Sequence, residues 1–287
     1  MTSDLAALMS RLAEDGFALV PDALSAEQVA GLLEAVDRAY ERNGDQVIDE
    51  PAKQRSQLFA VPDLDPEFLA PLTHSTTLAM VCEVMGVNIY VYHSHLDISR
   101  PLEPGQQFAY RWHRDMQSTT YSLPEPMPLL SLKAGFFLTD VTTPDHGGPW
   151  VVPGSHLKGW MDLPAEPGNE PPDAVPLLAP AGTAVVIDPR VWHAVGANRS
   201  VVTRRMIYYA YAYRWIRPYE QMDLSEERLA ALSPPQRQLL GAGGSPDGYH
   251  LPKDGDLPLK EAVRSGPRPS PSPWQLASRA RSAGRPS

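Results

Sequence analysis

The first 86 residues carry apolar positions at helical spacing, interrupted by one short apolar run. Leucines open this pattern at i, i+3 and i+7, at Leu5, Leu8 and Leu12. The run Phe17 to Val20 predicts a strand, and Ser25 with Gln28 forms a capping box that predicts the start of a second, amphipathic helix. A third helix is predicted from about Ser75 to Gly86. These helices are expected to cover a sheet.

The pattern changes to strands from Val87 to Trp215, where short apolar runs alternate with Gly and Pro turns. Many short strands with such turns predict a mainly β fold with flanking helices, built as a sandwich or barrel. Tyr208 to Trp215 is predicted as the final strand. Ser225 to Leu240 is predicted as one or two short helices broken at Pro234 and Pro235.

The last 45 residues differ in composition from the rest of the chain. They are rich in Gly, Pro, Ser and Arg and poor in apolar periodicity, so a largely disordered tail is expected over 243–287. The remainder, 1–242, is expected to be one domain, with its β core at about 87–215. A content of 43% hydrophobic and 21% charged residues is ordinary for a globular domain.

Charge and cysteine content exclude several classes of partner and compartment. The formal net charge of -9 and the lack of a basic cluster argue against a nucleic-acid partner. The single cysteine, Cys82, lies in a predicted buried helix and cannot form an intramolecular disulfide. No secretion signal and no run of 18 apolar residues is present, so we expect a cytoplasmic protein without a membrane partner.

A His-x-Asp motif followed by a distant histidine is the candidate for chemistry. On a strand, His113 and Asp115 would point to the same side, and His193 could complete a face of two imidazoles and one carboxylate. That ligand set holds non-haem Fe(II) with open positions. His95 and Asp97 form a second motif of the same type, with His93 on the same face, and they are an alternative ligand pair. We prefer to interpret His93 and His95 as strand residues that line the pocket or form hydrogen bonds.

The order of motifs resembles the phytanoyl-CoA dioxygenase family of Fe(II)- and 2-oxoglutarate-dependent oxygenases. The resemblance rests on a Trp-His-x-Asp segment, a Pro-Gly-Ser-His turn, a distal Trp-His pair and an Asn-x-Ser stretch leading to an arginine. In this chain they are Trp112 to Asp115, Pro153 to His156, Trp192 to His193, and Asn198 to Ser200 leading to Arg204. The resemblance covers roughly residues 10 to 242 and implies a jelly-roll core, a double-stranded β-helix.

The resemblance also implies roles for individual residues. His113, Asp115 and His193 match the iron ligands, and Arg204 matches the arginine that binds the far carboxylate of 2-oxoglutarate. Arginine suits that role because its planar fork makes two parallel hydrogen bonds to a carboxylate. Arg205 is the rival, since neighbours on a strand face opposite sides. Fe(II), 2-oxoglutarate and O2 are therefore the expected cofactor and cosubstrates.

Three other residues near these motifs have competing interpretations. The resemblance makes His156 a residue that fixes its turn rather than an iron ligand. His146 lies in a polar loop and is expected to be solvated. Trp150 either forms a wall of the pocket or fills the core, and the sequence favours neither.

The implied reaction is hydroxylation of a small molecule, or a related oxidation such as desaturation or ring formation, with release of succinate and CO2. Asp115 disfavours halogenation, because related halogenases lack this carboxylate. The sequence identifies neither the substrate nor the oligomeric state. An excess of arginine over lysine and a content of 31 prolines fit a GC-rich bacterial gene and a biosynthetic role. The alternatives are a metal-dependent hydrolase or isomerase, which would not need Arg204, and a non-catalytic metal-binding sensor.

Overall fold

Two antiparallel sheets form the centre of the protein. We describe it from a computed structural model, which describes residues 2–116, 122–159, 161, 170–220, 222, 225–242 and 246–264. The strands are β1 (Phe17–Val20), β2 (Ile48–Glu50), β3 (Arg55–Phe59), β4 (Ile89–Ser99), β5 (Ser131–Phe137), β6 (Pro149–Val151), β7 (Val175–Pro176), β8 (Ala184–Ile187), β9 (His193–Val195) and β10 (Arg204–Tyr213).

The strands are distributed unequally between the sheets. The larger sheet has seven strands in the order β1-β8-β5-β10-β4-β3-β2, and the smaller has three in the order β7-β6-β9. All the pairings are antiparallel. This mainly β jelly-roll architecture with flanking helices confirms the fold class predicted from the sequence.

Helices precede and follow the strands. The α-helices are α1 (Thr2–Asp15), α2 (Ala26–Arg42), α3 (Val61–Leu64), α4 (Leu69–Leu72), α5 (Ser75–Met85), α6 (Glu226–Ala231), α7 (Pro234–Leu239), α8 (Pro246–His250) and α9 (Pro258–Arg264). Short 3-10 turns lie at Gly44–Gln46, Pro51–Lys53, Pro66–Phe68, Ser155–Leu157 and Asp254–Asp256. No helix within these described ranges is both long and apolar enough to cross a membrane.

The two faces of the larger sheet have different roles. Its outer face packs against the helices, and the hydroxyls of Tyr209 and Tyr211 donate to the backbone carbonyls of Phe68 and Leu72 at 2.6 and 2.7 Å. Its inner face packs against the smaller sheet through a separate apolar cluster that includes Val185. Because side chains alternate along a strand, every second residue of β10 points to the inner side.

The N-terminal elements follow the sequence pattern closely. The predicted strand Phe17–Val20 and the third helix are confirmed, and α2 carries the predicted capping box between Ser25 and Gln28. These elements were predictable because their signals are local: a cap, a helical stripe and a terminating glycine. Cys82 is buried in α5, where burial raises the pKa of its thiol to about 12, in keeping with a non-reactive thiol.

Three boundaries differ from those predicted. The final strand was predicted from Tyr208 to Trp215 but extends from Arg204 to Tyr213. Its first residues are polar, so the apolar pattern did not indicate a strand there, although they pair with β4. Pro234 begins α7 instead of breaking a helix, since the first helical position needs no donated N–H. His113 lies in an isolated bridge and Asp115 in a turn, where a regular strand was predicted.

The expected tail is partly folded. Two short helices, α8 and α9, fall within 243–287, and Leu259 is completely buried against the main core. A few apolar side chains anchor this segment although its Gly and Pro content suggested disorder. Residues 243–245 and 265–287 lie outside the described residues, so the expectation of disorder there stays a prediction.

Candidate metal centre

A two-residue backbone bridge joins His113 to His193 across 80 positions of sequence. The His113 N–H donates to the His193 carbonyl at 3.0 Å, and the His193 N–H donates back at 2.9 Å. The N–H of Asp115 donates to the carbonyl of Pro189 at 2.9 Å. His193 is itself the first residue of β9, paired with Val151 of β6. Backbone hydrogen bonds to β9 and to Pro189 before it therefore hold the three predicted ligands relative to one another.

The three side chains converge on one point. Oδ1 of Asp115 lies 3.7 Å from Nε2 of His113 and 3.5 Å from Nε2 of His193. One ligand atom from each residue lies within 4.8 Å of the others, and no second cluster of three or more such residues occurs in the described chain. Ligands about 2.1 Å from a shared ion would lie roughly 3.0 to 3.5 Å apart. The donor atoms are therefore spaced close to what a metal ion requires.

Hydrogen bonds to backbone carbonyls set the tautomer of both imidazoles. Nδ1 of His113 lies 2.9 Å from the carbonyl oxygen of Arg111, and Nδ1 of His193 lies 2.7 Å from that of Val191. A carbonyl only accepts, so each Nδ1 carries the proton and donates it. Nε2, the nitrogen that faces Asp115, is therefore the atom that each imidazole can offer to a metal, as metal-binding histidines do.

The charge state of the cluster also suits a cation. Partial burial and the neighbouring His193 lower the pKa of His113 to about 4, so its imidazole is neutral at pH 7. Burial alone would raise the pKa of Asp115, but Lys133 and His193 outweigh burial and hold this pKa well below its usual range. The cluster thus offers a neutral imidazole at His113 and a carboxylate anion at Asp115 at neutral pH.

Sequence reasoning did not identify Lys133. Its ammonium forms an ion pair with Oδ2 of Asp115. The available signal was a single charged residue in the otherwise apolar run Ser131–Phe137.

Arg204 lies on the inner side of the larger sheet, and Arg205 lies on the helical side. The Arg204 side chain is 2% exposed, and its Nη2 donates to Oδ1 of Asp97 at 3.1 Å and to Oγ of Ser99 at 2.7 Å. Its Nε and Nη1 donate to the carbonyls of Gly147 and Asp97 at 3.0 and 3.2 Å. Arg205 instead pairs with Asp37 of α2 at 2.9 Å.

The Arg204 cluster carries a surplus positive charge. Asp97 also accepts from Arg55, whose Nη2 lies 2.6 Å from Oδ2. Burial alone would raise the pKa of Asp97, but Arg204 and Arg55 hold it well below its usual range. Arg55 also pairs with Glu50, which Lys53 shares at the half-buried edge, so the cluster holds three cations and two carboxylates. Among the described residues, four of the five Arg204 N–H groups have acceptors, which leaves one for a ligand.

The second His-x-Asp motif does not assemble a metal site. Asp97 is occupied by arginines, and His95 is buried between the rings of Tyr208 and His93, at centroid distances of 4.8 and 5.0 Å. Nδ1 of His93 lies 2.7 Å from Oε2 of Glu220. These contacts favour the interpretation of His93 and His95 as pocket and hydrogen-bonded residues over the alternative ligand pair.

The remaining candidates have structural contacts. His156 is buried, and its Nε2 lies 3.2 Å from the carbonyl oxygen of Ala13. The His156 ring packs so closely against Gly16 that a Cβ at that position would clash with it. Nδ1 of His146 lies 3.0 Å from the carbonyl of Asp140 in a partly exposed loop. Trp150 packs beside Tyr110, at a centroid distance of 5.7 Å, and over Gly196, so its ring stabilises the smaller sheet.

Comparisons with known proteins identify one family and several similar chains. The sequence profile of the family described as phytanoyl-CoA dioxygenase (PhyH) matches residues 12–206, a segment that contains all four predicted site residues. The dioxygenase af480 of Aspergillus fumigatus is 29% identical over 252 residues, which cover 84% of this chain and 78% of that protein. The ectoine dioxygenase of Stutzerimonas stutzeri is 24% identical, with 72% and 76% coverage.

A solved structure supports the fold independently. The non-haem α-ketoglutarate-dependent carbocyclase SnoK from nogalamycin biosynthesis superposes with a TM-score of 0.58 at 22% identity, covering 83% of this chain and 92% of that one. At this identity the similarity establishes the jelly-roll fold alone.

Proposed function

The chain belongs to the phytanoyl-CoA dioxygenase family, and from this premise we propose that His113, Asp115 and His193 hold the iron of a 2-oxoglutarate-dependent non-haem dioxygenase. The observation that carries the proposal is the convergence of two imidazole Nε2 atoms and one carboxylate oxygen within 4.8 Å. Both imidazoles are fixed as the tautomer that a metal needs. Two histidines and a carboxylate are the ligand set of non-haem Fe(II) oxygenases.

Arg204 is proposed to hold the far carboxylate of 2-oxoglutarate. Its side chain is buried on the inner side, whereas Arg205 is directed to Asp37 of α2. The single surplus positive charge of this cluster of three cations and two carboxylates would be neutralised by an anion. The free N–H of Arg204 would then donate to the cosubstrate, with Arg55 contributing charge at longer range.

The proposed reaction is hydroxylation or a related oxidation of an unactivated carbon. When bound at this site, Fe(II) with 2-oxoglutarate and O2 supplies oxidising chemistry that yields succinate and CO2. The chain contributes the three ligands, the cosubstrate anchor and an aromatic surround, in which His95 stacks on Tyr208. The Asp115 carboxylate stands where a halogenase would need an open position, so a halogenation role is not proposed.

The proposed substrate is a small molecule of specialised metabolism, and the proposed compartment is the cytoplasm. Among similar proteins, SnoK belongs to nogalamycin biosynthesis, and a structure of HygX contains hygromycin B. The charged side chains described near the site are paired internally: Lys133 with Asp115, Arg204 with Asp97, and His93 with Glu220. This pairing supports a neutral substrate over an acyl-CoA, whose phosphates would need free cations.

The test is anaerobic binding of Fe(II) and 2-oxoglutarate, followed through the metal-to-ligand charge-transfer absorption of the complex. The wild-type protein is expected to develop this absorption, and His193→Ala is expected to abolish it. Arg204→Lys is expected to weaken 2-oxoglutarate binding by about tenfold or more, because an ammonium cannot keep the internal hydrogen bonds of the guanidinium group and also donate to the cosubstrate.

Arg205→Lys is the matched control, since it changes the neighbouring arginine on the other face of the same strand. It should bind 2-oxoglutarate as the wild type does. If iron binds without the absorption, the 2-oxoglutarate assignment fails. If instead both arginine variants weaken binding equally, the assignment of Arg204 fails and the metal site stands.

A further inference from the structure

A lysine lies within the proposed metal centre. The Lys133 side chain is 11% exposed, and its ammonium forms an ion pair with Oδ2 of Asp115, whose side chain is 18% exposed. A buried ammonium is costly unless a counter-charge lies beside it. The described structure supplies that counter-charge through the carboxylate proposed to bind iron.

The sheet directs Lys133 toward this position. In β5 it lies opposite Ala210 of β10, a small residue that leaves space on the inner face. Its Nζ lies 5.8 Å from the centre of the Tyr208 ring, and Tyr208 lies flat against Gly135, where any Cβ would come within 2.6 Å of the ring. The lysine stem is thus held between a small neighbour and an aromatic ring.

The two oxygens of Asp115 have different partners. Oδ1 faces both imidazoles, at 3.5 and 3.7 Å, and Oδ2 faces the ammonium of Lys133. An Asp115 carboxylate with a free Oδ2 could bind a metal through both oxygens and occupy one more of its positions. A carboxylate held by Lys133 presents only Oδ1.

On the basis of the proposed function, we propose that Lys133 is a positioning residue that keeps Asp115 monodentate and raises the positive charge of the metal-loaded site. Together, Asp115 and Lys133 are neutral before a divalent metal binds and doubly positive afterwards. Without Lys133 the site is negative before binding and singly positive afterwards. Lys133 therefore weakens metal binding and strengthens binding of a dianionic cosubstrate, because opposite charges attract in proportion to their product.

The test measures these two affinities separately. Ni(II) binding to the apoprotein, and then 2-oxoglutarate binding to the Ni(II)-loaded protein, are measured by calorimetry without any turnover. Lys133→Met is expected to bind Ni(II) at least about threefold more tightly and 2-oxoglutarate about tenfold more weakly. Opposite signs are the signature, because a merely structural role would weaken both.

Two variants and a remote control separate charge from shape. Lys133→Arg keeps the charge and is expected to stay within about threefold of wild type in both affinities. Lys133→Gln also removes the charge, and it changes the polarity of the side chain less than Lys133→Met does. It becomes the test variant if circular dichroism shows that Lys133→Met does not fold. Lys260→Met removes a lysine paired with Asp254, far along the chain in α9, and should change neither affinity.

The outcomes distinguish this inference from the proposed function. If wild type binds Ni(II) and 2-oxoglutarate while Lys133→Met and Lys133→Gln leave both affinities unchanged, or lower both together, the role of Lys133 is refuted and the metal site stands. If His193→Ala binds Ni(II) as well as wild type does, the proposed function itself fails.

Discussion

Two His-x-Asp motifs with the same spacing have opposite surroundings in this protein. His95 and Asp97 lie on β4, between β10 and β3, and both side chains are buried. His113 and Asp115 lie at an isolated bridge and a turn, and both remain partly exposed. Sequence alone presents them as equivalent short motifs.

The difference lies in which groups face the carboxylate. Asp97 is bound by the guanidinium groups of Arg55 and Arg204, so its oxygens are committed to the fold. One oxygen of Asp115 faces the Nε2 atoms of two imidazoles, and the other pairs with the ammonium of Lys133. Both oxygens of Asp97 are thus held by guanidinium groups, whereas Asp115 keeps one oxygen beside two imidazole nitrogens with which it can share a metal. Three predictions sharpen this comparison.

The largest expected effect is on stability at Asp97. Asp97→Asn removes the carboxylate that the buried guanidinium groups of Arg204 and Arg55 share, and we expect the free energy of unfolding to fall by about 3–5 kcal/mol. Urea unfolding measures this change. Asp49→Asn is the control, because Asp49 pairs with Arg100 at the exposed surface and should cost less than about 1 kcal/mol. Equal losses in the two variants would show that the buried cluster is not a structural core.

The second effect is on metal affinity, and it separates the two histidines. His113→Ala is expected to raise the dissociation constant for Ni(II) at least about 100-fold, equivalent to about 2.7 kcal/mol. His95→Ala should change it by less than about threefold, because His95 contacts aromatic rings and no proposed ligand. Calorimetry of the apoproteins gives both values, and the reverse order would assign the metal to the other motif.

The smallest effect is on the pH dependence of stability. Burial lowers the pKa of His95 well below its usual range and also lowers the pKa of His74 and of His156. The unfolded chain therefore binds more protons than the folded protein below about pH 6.5, and the free energy of unfolding must fall as the pH drops through that value.

Urea titrations of the apoprotein at pH 8, 6 and 5 measure this slope. The contribution of Asp97 is lost only in a more acidic range, because its pKa is lowered from a value near 4, so the interval from pH 8 to 5 isolates the histidines. His95→Gln should give a shallower slope than wild type. A slope unchanged in His95→Gln would mean that this ring is not held neutral by the fold.

Local signals made the N-terminal third predictable. The cap at Ser25, the helix ending at Gly86 and the run Phe17–Val20 each carry their information within a few residues. The β core was predictable as a class from its turns, but its pairings were not, because strand order depends on contacts remote in sequence. Predicted element boundaries were wrong where contacts remote in sequence determine them. Examples are the start of β10 at Arg204 and the C-terminal segment anchored by Leu259.

Residue types and motif order were enough to predict the family, the mainly β class and four candidate site residues, because both can be read directly from the chain; the candidates are His113, Asp115, His193 and Arg204. Only the tertiary structure decided which of two similar motifs meets a third ligand and which meets arginines. It also placed Lys133 beside Asp115. Burial and neighbouring charge set the chemistry of a side chain, and both arise from residues that fold together across long stretches of sequence.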